Sequence, residues 1–577
     1  MPNWPATPTA SARAGGGFLA QFGWSLHLLV RKVLFLPINL VVLRMIELTE
    51  LAELHSDRSA KWTRRKLFPV LVLGCLGVLI LLMRLHTYSE PLETDLTSYA
   101  VIGHEMLEGR ALYADLWDHK PPGIHLTYAA GTLLFGYGRF AVFAMGMLAA
   151  LATMLGVYRL ASWMTKDRTS ALWAAAFWSV LSNSMDLQAN QPNVEVFMNV
   201  CLIWGVVFLV RIAPASLSLR HAFLSGLLFF WATMYKQIAV FALALAGLGY
   251  AVTCWRHSPR KPWAMAGNLL SLGVPVVLGW ALVFTYFALR GHWQDFHDAN
   301  FAFNRSYSGG LVGNVVYGLK WPLLFPTRMA SFKLLFLLAA TVLVAPCVRA
   351  VPRGYGIFLG YLVSAPLMIL LPGKYYAHYY QLWIPALAVA GGVGCHLLKR
   401  IPKLSNGLLA WSVPVAVCGG SLAMELPSYG LAPRDWSSHK YGSLFLASEE
   451  IGSELNAVLR PGENFFQWGW WSGLYFTTQH RPPTGILYAY PLRKGPLQQK
   501  LAARLLGDLQ REKPEILVAA KNEYYSMDIH PELRAWVDAN YRSSPKLHPG
   551  PAFWLIRRGG RLEREWVSGG DQAVANN

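Results

Sequence analysis

The chain has 577 residues, of which 54% are hydrophobic and only 14% are charged, and its mean hydropathy is +0.31. An ordinary soluble domain has about 25% charged residues, so this composition excludes a soluble globular protein and also a disordered chain. Lys and Arg number 51 against 32 Asp and Glu, and the net charge of +19 fits nucleic acid, anionic lipid or membrane topology. The six Cys residues lie in apolar runs without a CxxC pair, which argues against a disulfide framework or a zinc site.

The apolar residues are concentrated in runs of about 20 residues, the length that a membrane-spanning helix needs. About eleven spans are predicted, near residues 67–85, 139–163, 169–186, 194–211, 220–235, 237–254, 264–289, 331–349, 354–371, 380–398 and 406–425. The fifth and sixth runs are interrupted only by Tyr235-Lys236-Gln237, and one long buried run is the alternative there. The sequence therefore predicts a polytopic all-α membrane protein.

Lys and Arg in the short loops predict the orientation, because cytoplasmic loops carry an excess of them. If the N-terminus is cytoplasmic, the inner segments carry 17 Lys and Arg, whereas the short loops on the other side carry only Lys236 and Lys374. The N-terminus is therefore predicted to be cytoplasmic and the C-terminal tail to lie outside the cytoplasm. Most of the net positive charge therefore reflects the orientation of the chain in the membrane, and nucleic acid is not expected as a partner.

Three regions are predicted along the chain: a cytoplasmic leader at 1–66, a transmembrane domain at 67–426 with a long first outer loop at 86–138, and an extracytoplasmic domain at 427–577. The leader lacks the apolar core of a cleavable signal peptide, and 18–55 reads as an amphipathic helix on the inner membrane face or as a poorly ordered segment.

The predicted extracytoplasmic domain carries 18 Lys or Arg and 15 Asp or Glu, far more charge per residue than the spans. Helical patterns at 444–459, 496–511 and 531–540 alternate with strand-like runs at Asn464–Trp468, Glu515–Ala519 and Ala552–Ile556. This alternation predicts a small α/β domain.

The first outer loop has apolar residues at helical spacing from Leu96 to Leu107, and a second such stretch spans Ile124–Phe135. Both are expected to lie as helices on the outer membrane surface. Thr94 or Asp95 is expected to cap the first helix, which would place the Asp95 carboxylate at the positive end of the helix dipole.

Ionisable residues at membrane depth are costly and usually line a cavity or a pathway. In this sequence they collect in several separate outer loops: Asp95, Asp118, His119, Lys120, Glu195, Lys236, Arg305, Lys374, Tyr375, Tyr376, His378 and Tyr379. Interfacial belts account for tyrosines but not for acids and cations on the same side. The pattern predicts a polar, aromatic-lined cavity that opens to the outside.

The run from Glu93 to Gly123 resembles the bacterial protein-mannosyltransferase-like group (glycosyltransferase family 39), whose members have the GT-C fold and are related to aminoarabinose and galacturonic acid transferases. The similarity lies in Glu93-Thr94-Asp95, in the Gly-x-x-Leu-Tyr of 109–113 and in Asp118-His119-Lys120-Pro121-Pro122-Gly123. His378-Tyr379-Tyr380 with Pro385 resembles the start of a late helix in the same group. The resemblance extends over roughly residues 67–400.

This resemblance implies inverting transfer of a sugar from a polyprenyl-phosphate carrier to a lipid, glycan or protein acceptor of the cell envelope. It also implies a multi-pass protein of the bacterial inner membrane, in contact with membrane lipids. Relatives place the acid of the first loop near the reacting centre, and this acid corresponds to Asp95. Relatives with an Asp-Glu pair differ from this chain, where Leu96 follows Asp95, so Asp118 or Glu195 could supply the second acid.

A displacement at a lipid phosphate needs a carboxylate base and positive charge on the departing phosphate. Asp95 is the predicted base, and Asp118 and Glu195 are the further catalytic candidates. The predicted phosphate- or substrate-binding residues are His119, Lys120, Lys236, Arg305, Lys374, Tyr375, Tyr376, His378 and Tyr379.

Three alternatives remain open at this point. His119 beside Asp118 suggests a divalent metal cofactor, but a third ligand is not identifiable, so no metal ligands are assigned. A flippase or transporter for a lipid-linked sugar would show internal repeats, which the sequence lacks. A membrane scaffold whose tail binds a partner would leave the outer acids and cations without a purpose.

Overall fold

The computed structural model describes residues 58–320, 330–347, 351–400, 407–547 and 550–568. The predicted amphipathic segment 18–55 lies outside these residues. The chain divides into two compact units, Met1–His86 and Thr87–Asn577. The first unit contains helix α1 (Arg58–His86), and its apolar part, Leu67–His86, coincides with the first predicted span.

The second unit begins with the loop helices and the remaining apolar helices. They are α2 (Thr94–Leu107), α3 (Pro122–Phe135), α4 (Arg139–Thr165), α5 (Arg168–Leu181), α6 (Val194–Leu209), α7 (Leu219–Tyr235), α8 (Val240–His257), α9 (Pro262–Leu289), α10 (Trp293–His297), α11 (Asn304–Ser308), α12 (Leu311–Gly318), α13 (Ala330–Ala340), α14 (Tyr355–Leu370), α15 (Ile384–Leu398) and α16 (Gly407–Glu425). A π-helical turn at Asp298–Phe303 joins α10 to α11.

A helix lies at each of the eleven predicted spans. Among the described residues four are long and apolar enough to cross a membrane: Leu67–His86, Arg139–Thr165, Gln237–His257 and Pro262–Leu289. Helices such as α6, with 16 residues, rise only about 24 Å, less than the roughly 30 Å thickness of a bilayer core. The count of eleven spans therefore stays a prediction, while the mostly helical architecture is confirmed.

The predicted break between the fifth and sixth runs is present. Helix α7 ends at Tyr235, Lys236 has an extended backbone, and a short 3₁₀ turn at Gln237–Ala239 leads into α8. The alternative of one continuous run is therefore wrong. The interruption places the Lys236 side chain at the end of the helices rather than along their length.

Helix α15 lies at the centre of the helical bundle and packs against α4, α5 and α13. Its small residues permit close approach: a Cβ added to Gly392 would lie 2.7 Å from the carbonyl oxygen of Ser170 in α5. Asp167 begins α5 by accepting from the backbone N–H of Thr169 at 3.0 Å, and Lys399, just past α15, donates to the same carboxylate at 2.8 Å.

The tail contains α17 (Pro433–Tyr441), α18 (Leu444–Val458), β1 (Phe465–Trp468), α19 (Gly473–Thr478), α20 (Tyr490–Arg493), α21 (Gln498–Glu512), β2 (Ile516–Ala520), α22 (Pro531–Asn540), β3 (Tyr541–Ser543), β4 (Ala552–Arg557) and α23 (Arg561–Glu563). The strand order is β1-β2-β4-β3, with β1 parallel to β2 and the other pairs antiparallel. The predicted strand-like runs become β1, β2 and β4, and the short β3 was not predicted. The predicted domain limits at 66 and 426 stay a prediction.

Helix α2 is covered rather than exposed on a membrane surface. The Ser472 hydroxyl of the tail donates to the Thr94 carbonyl at 2.9 Å. A second hydrogen bond, 2.8 Å long, joins it to the Thr97 hydroxyl. A Cβ on Gly485 would lie 1.7 Å from the carbonyl oxygen of Asp115, so only glycine permits this approach of the tail to the loop. The expectation of an outer-surface helix did not anticipate that the tail packs on it.

Candidate active site

Two acids lie at the start of α2. Glu93 occupies the N-cap position without a side-chain cap bond, and Asp95 is in the first turn, so the predicted cap at Thr94 or Asp95 is wrong. The dipole argument for Asp95 still holds because an acid in the first turn faces the positive helix end.

Asn193 holds the two acids together. Its Oδ1 caps α6 by accepting from the Val194 N–H at 2.7 Å, which turns its Nδ2 toward the acids. That Nδ2 donates to Glu93 Oε1 at 2.6 Å and lies 3.5 Å from Asp95 Oδ2. The Asn193 amide group therefore contacts both carboxyl groups, and its shorter hydrogen bond is to Glu93.

The environments of the two acids differ. Burial, followed by the charge of Asp95, raises the pKa of Glu93 well above its usual range, although Lys440 and the bond from Asn193 act against this. Burial thus favours the neutral acid form of Glu93. Asp95 is only partly buried and stands beside it.

A second cluster consists of Asp118, His119 and Lys120 in the loop before α3. Asp118 is 2% exposed, and its oxygens receive the backbone N–H of His119 at 2.7 Å and the hydroxyl of Tyr488 at 3.1 Å. The ring nitrogens His119 Nδ1 and His125 Nε2 each lie 3.2 Å from an Asp118 oxygen. Burial alone would raise the pKa of Asp118, but the contacts with His119 and His125 hold it well below its usual range.

Lys120 is 9% exposed, and its Nζ lies 3.0 Å from His119 Nε2. Within the described part of the chain, no carboxylate lies within 4 Å of this ammonium. Burial, followed by the Lys120 charge, lowers the pKa of His119, so the neutral imidazole faces the ammonium. The site thus contains a buried cation whose charge is not balanced by a direct partner.

A third cluster lies at the adjoining ends of α6, α7 and α15. Lys236 forms an ion pair with the fully buried Glu195, and its Nζ lies 3.7 Å above the Tyr379 ring. His378 Nδ1 lies 3.2 Å from the amide oxygen of Gln188. Lys236 and Glu195 thus neutralise each other.

Aromatic residues lie beside the second and third clusters, and one of them is half exposed. The Tyr307 ring lies 5.3 Å from the His119 ring, and Lys374 Nζ lies 4.2 Å above Tyr307. The Tyr376 ring is 5.7 Å from that of His378, and Tyr376 is 48% exposed. Most of the predicted site residues therefore belong to one continuous assembly at one end of the helices.

Two predicted residues lie apart from this assembly. Arg305 is exposed, and its side chain makes no ion pair or hydrogen bond with the described residues. The Tyr375 hydroxyl donates to the backbone carbonyl of Asn314, and its ring faces Tyr317 at 6.0 Å. Their predicted role in substrate binding has no support from these contacts.

Several residues of the assembly were not predicted from the sequence. His125 lies inside α3, where its spacing gives no sign of the Asp118 contact, and Tyr488 lies 370 positions away in the tail. Glu93 stood out in the sequence only as part of a motif. The Asn193 amide and the Glu93 carboxyl group could have been paired because both precede a helix start, but their contact is tertiary.

The residues present do not fit a metal centre. Across the described ranges, no group of three or more His, Cys, Asp or Glu side chains is arranged to hold a metal ion. His119 and His125 instead each contact Asp118.

The family described as dolichyl-phosphate-mannose-protein mannosyltransferase matches residues 119–280. The matched segment begins at His119 and contains Lys120, Glu195 and Lys236, whereas Asp95 and Asp118 precede it. No curated protein matches the chain in sequence.

Two crystal structures of ArnT from Cupriavidus metallidurans share the fold. The one bound to undecaprenyl phosphate is 16% identical, with a TM-score of 0.54 over 85% of this chain and 98% of that chain. The apo structure is 17% identical, with a TM-score of 0.52 over 82% and 95%. The archaeal oligosaccharyltransferase AglB from Archaeoglobus fulgidus, in complex with an inhibitory peptide and a dolichol-phosphate, is 10% identical with a TM-score of 0.47 over 86% and 75%.

The chain thus shares the fold of the two ArnT structures, and its residues 119–280 resemble the dolichyl-phosphate-mannose-protein mannosyltransferase family. The resemblance to the protein-mannosyltransferase-like group of glycosyltransferases, read from residues 93–123, is confirmed by the family match and the shared fold.

Proposed function

We propose that this chain is a membrane glycosyltransferase that moves a sugar from a polyprenyl-phosphate carrier to an acceptor hydroxyl. The observation that carries the proposal is Lys120, a buried ammonium without a carboxylate partner among the described residues, with Asp95 close enough for its charge to act on the neighbouring His119. Burying an unbalanced charge is costly, and a bound anion would offset that cost. The related fold of ArnT bound to undecaprenyl phosphate supports a lipid phosphate as this anion.

The reaction is a single displacement. The acceptor oxygen bonds to the anomeric carbon on the face opposite the phosphate, the bond from that carbon to the phosphate oxygen breaks, and its electron pair leaves with the carrier phosphate. The hydroxyl proton passes to a carboxylate base, and inversion follows from attack on the opposite face. Lys120 stabilises the negative charge that grows on the phosphate.

Asp95 is the base in this proposal because Asp118 and Glu195 are buried, whereas Asp95 is partly exposed. All the contacts of Asp118 come from protein donors, and Glu195 is paired with Lys236. Asp95 is partly exposed, and among the described residues its side chain has one long hydrogen bond, with Asn193. Burial favours the neutral form of Glu93, so Asp95 is the member of this pair that is proposed to act as the carboxylate.

Lys374 and Tyr376 can contact parts of the substrate other than the phosphate that Lys120 binds. Lys374 has no ion pair with a described residue and lies beside Tyr307, where it can attract an anionic substrate toward Lys120. Tyr376 is half exposed and can pack on the sugar or the carrier chain.

The proposal includes a location in the bacterial inner membrane, with this assembly at the outer face. The support is the Lys and Arg content of alternate loops, together with four helices of spanning length and composition among the described residues. The acceptor is then a lipid, glycan or protein of the cell envelope.

Replacing Asp95 with Asn tests the proposal. Purified protein in lipid nanodiscs is incubated with radiolabelled polyprenyl-phosphate sugars and membrane extract, and label attached covalently to an acceptor is measured. Loss of a general base should lower transfer at least about 100-fold. Glu108→Gln is the matched control, because this exposed acid ends the same helix.

Transfer that persists in Asp95→Asn at nearly the wild-type rate would reject Asp95 as base. Label that crosses a vesicle membrane without becoming linked to an acceptor would instead support the flippase alternative. Absence of both activities in the wild-type protein, with every sugar offered, would contradict the proposed function.

A further inference from the structure

Asp118 is only 2% exposed, and the hydrogen bonds that it accepts come from protein donors. The backbone N–H and Nδ1 of His119, the Nε2 of His125 and the hydroxyl of Tyr488 all lie within 3.2 Å of its oxygens. A buried carboxylate held by this many donors is fixed in position and keeps its charge. Its role in the site must therefore be exerted through its neighbours.

The contacts assign the tautomer of His119. His119 Nδ1 lies 3.2 Å from Asp118 Oδ1 and 3.4 Å from the Tyr488 hydroxyl, and because a carboxylate only accepts, a hydrogen on Nδ1 with the lone pair on Nε2 suits these neighbours. An ammonium only donates, so Lys120 Nζ, 3.0 Å from Nε2, donates to that lone pair. The opposite tautomer would place an N–H against the ammonium and a lone pair against the carboxylate. The backbone carbonyl of His119 is held as well, by the Nδ2 of Asn304 at 2.7 Å.

We infer that Asp118 is a positioning residue, which fixes His119 so that the Lys120 ammonium is held where it meets the carrier phosphate, and that Tyr488 of the tail completes this arrangement. The inference rests on the proposed function, because it gives Lys120 its phosphate. The tail thereby acquires a role in the site, because the Tyr488 hydroxyl fixes Asp118 from a segment that packs on the first outer loop. In that segment the Gly485 carbonyl accepts from the Trp117 N–H at 3.0 Å.

The arrangement explains why a buried lysine needs no carboxylate next to it. A direct carboxylate partner would neutralise the ammonium and compete with the phosphate, as Glu195 does for Lys236. Asp118 acts on Lys120 through the imidazole instead, so the ammonium is oriented while at least one of its hydrogens remains free for phosphate.

The test measures binding of undecaprenyl phosphate and of undecaprenol, which lacks the phosphate, to the full-length protein in detergent. The dissociation constant for undecaprenol divided by that for undecaprenyl phosphate measures how strongly the phosphate itself is recognised. Asp118→Asn should lower this ratio about tenfold, because a charge-assisted contact is lost, and Tyr488→Phe about threefold. Lys120→Met should abolish the preference for the phosphate.

Tyr541→Phe is the matched control. Tyr541 is also buried in the tail, and its hydroxyl donates to the Pro514 carbonyl at 2.7 Å, away from Asp118. A general loss of structure would weaken binding of both lipids and leave their ratio unchanged, so the ratio separates positioning from folding. If Asp118→Asn does not fold, Tyr488→Phe decides the question.

The inference is overturned if the wild-type protein prefers undecaprenyl phosphate and both variants keep that preference in full. If the wild-type protein binds undecaprenol as tightly as undecaprenyl phosphate, the proposed function itself fails at the phosphate site. Restoration of the preference in Asp118→Glu would support the positioning role, because the carboxylate can again meet His119.

Discussion

Replacing Glu93 with Gln should leave transfer nearly intact. The variant should also become increasingly more stable than the wild-type protein as the pH rises. Gln keeps the size of Glu93 and an oxygen that can accept from Asn193 Nδ2, the 2.6 Å bond of the native acid. If Glu93 works as a neutral acid beside Asp95, this change removes nothing that the reaction uses. Glu93→Ala should behave differently, since the buried Asn193 donor then loses its partner at a cost of about 1–3 kcal/mol.

The sign of the pH effect follows from the raised pKa of Glu93. The folded protein keeps a proton that the unfolded chain releases at the ordinary pKa of glutamic acid, so stability falls as the pH rises from there toward the raised value. Each pH unit in that window costs about 1.4 kcal/mol. Gln carries no titrating proton, so the Glu93→Gln variant should gain this amount per unit relative to the wild-type protein.

The assay is chemical unfolding of the detergent-solubilised protein at pH 5, 6 and 7, with Glu108→Gln as the control. The difference in free energy of unfolding between Glu93→Gln and wild type should grow with pH. In an Asp95→Asn background the same difference should stop growing at a lower pH, because the Asp95 charge is the second cause of the raised pKa of Glu93.

A difference that stays constant from pH 5 to pH 7 would show that Glu93 ionises normally and would refute the reasoning. Loss of transfer in Glu93→Gln with unchanged folding would also refute it, because the charge of Glu93 would then be needed.

Two further changes test how the tail is held on the first outer loop. Lys440→Met breaks the buried pair of Lys440 with Glu90 and should lower the free energy of unfolding by about 3–5 kcal/mol, with Glu90→Gln restoring much of it in a double-mutant cycle. Independent effects of the two changes would contradict this. Gly485→Ala places a Cβ 1.7 Å from the Asp115 carbonyl oxygen and should reduce both thermal stability and transfer, whereas Gly507→Ala, with open space around it in a helix, should not. Equal thermal stability and transfer in the two Ala variants would show that the close approach of Gly485 to Asp115 is not needed.

The sequence predicted the helical architecture because each helix is specified by a local signal. A run of apolar residues or a break such as Tyr235-Lys236-Gln237 can be read without knowing what packs nearby, and the break lies where it was expected. The cap of α2 shows the limit of this reading, since Glu93, not Thr94 or Asp95, occupies the N-cap position.

The members of the site were largely visible in the sequence, but their partners were not. Asp118, Lys120 and Glu195 stood out because charges are rare in an apolar chain. Which of them are balanced depends on contacts between residues far apart, such as Tyr488 with Asp118, and no spacing rule connects these positions. The distinction between a paired acid and an available one therefore could not be predicted.

The sequence by itself determined that the chain is helical and apolar, that ionisable groups collect in the loops between its apolar runs, and which glycosyltransferase group it resembles. These properties depend on composition, on periodicity and on short motifs, all of which are local. Only the tertiary structure decided that Lys120 is buried without a carboxylate partner among the described residues while Lys236 is neutralised, and that the tail covers α2 and reaches Asp118. The physical reason is that burial and charge pairing arise when distant segments exclude water together, and this cannot be read from any one segment.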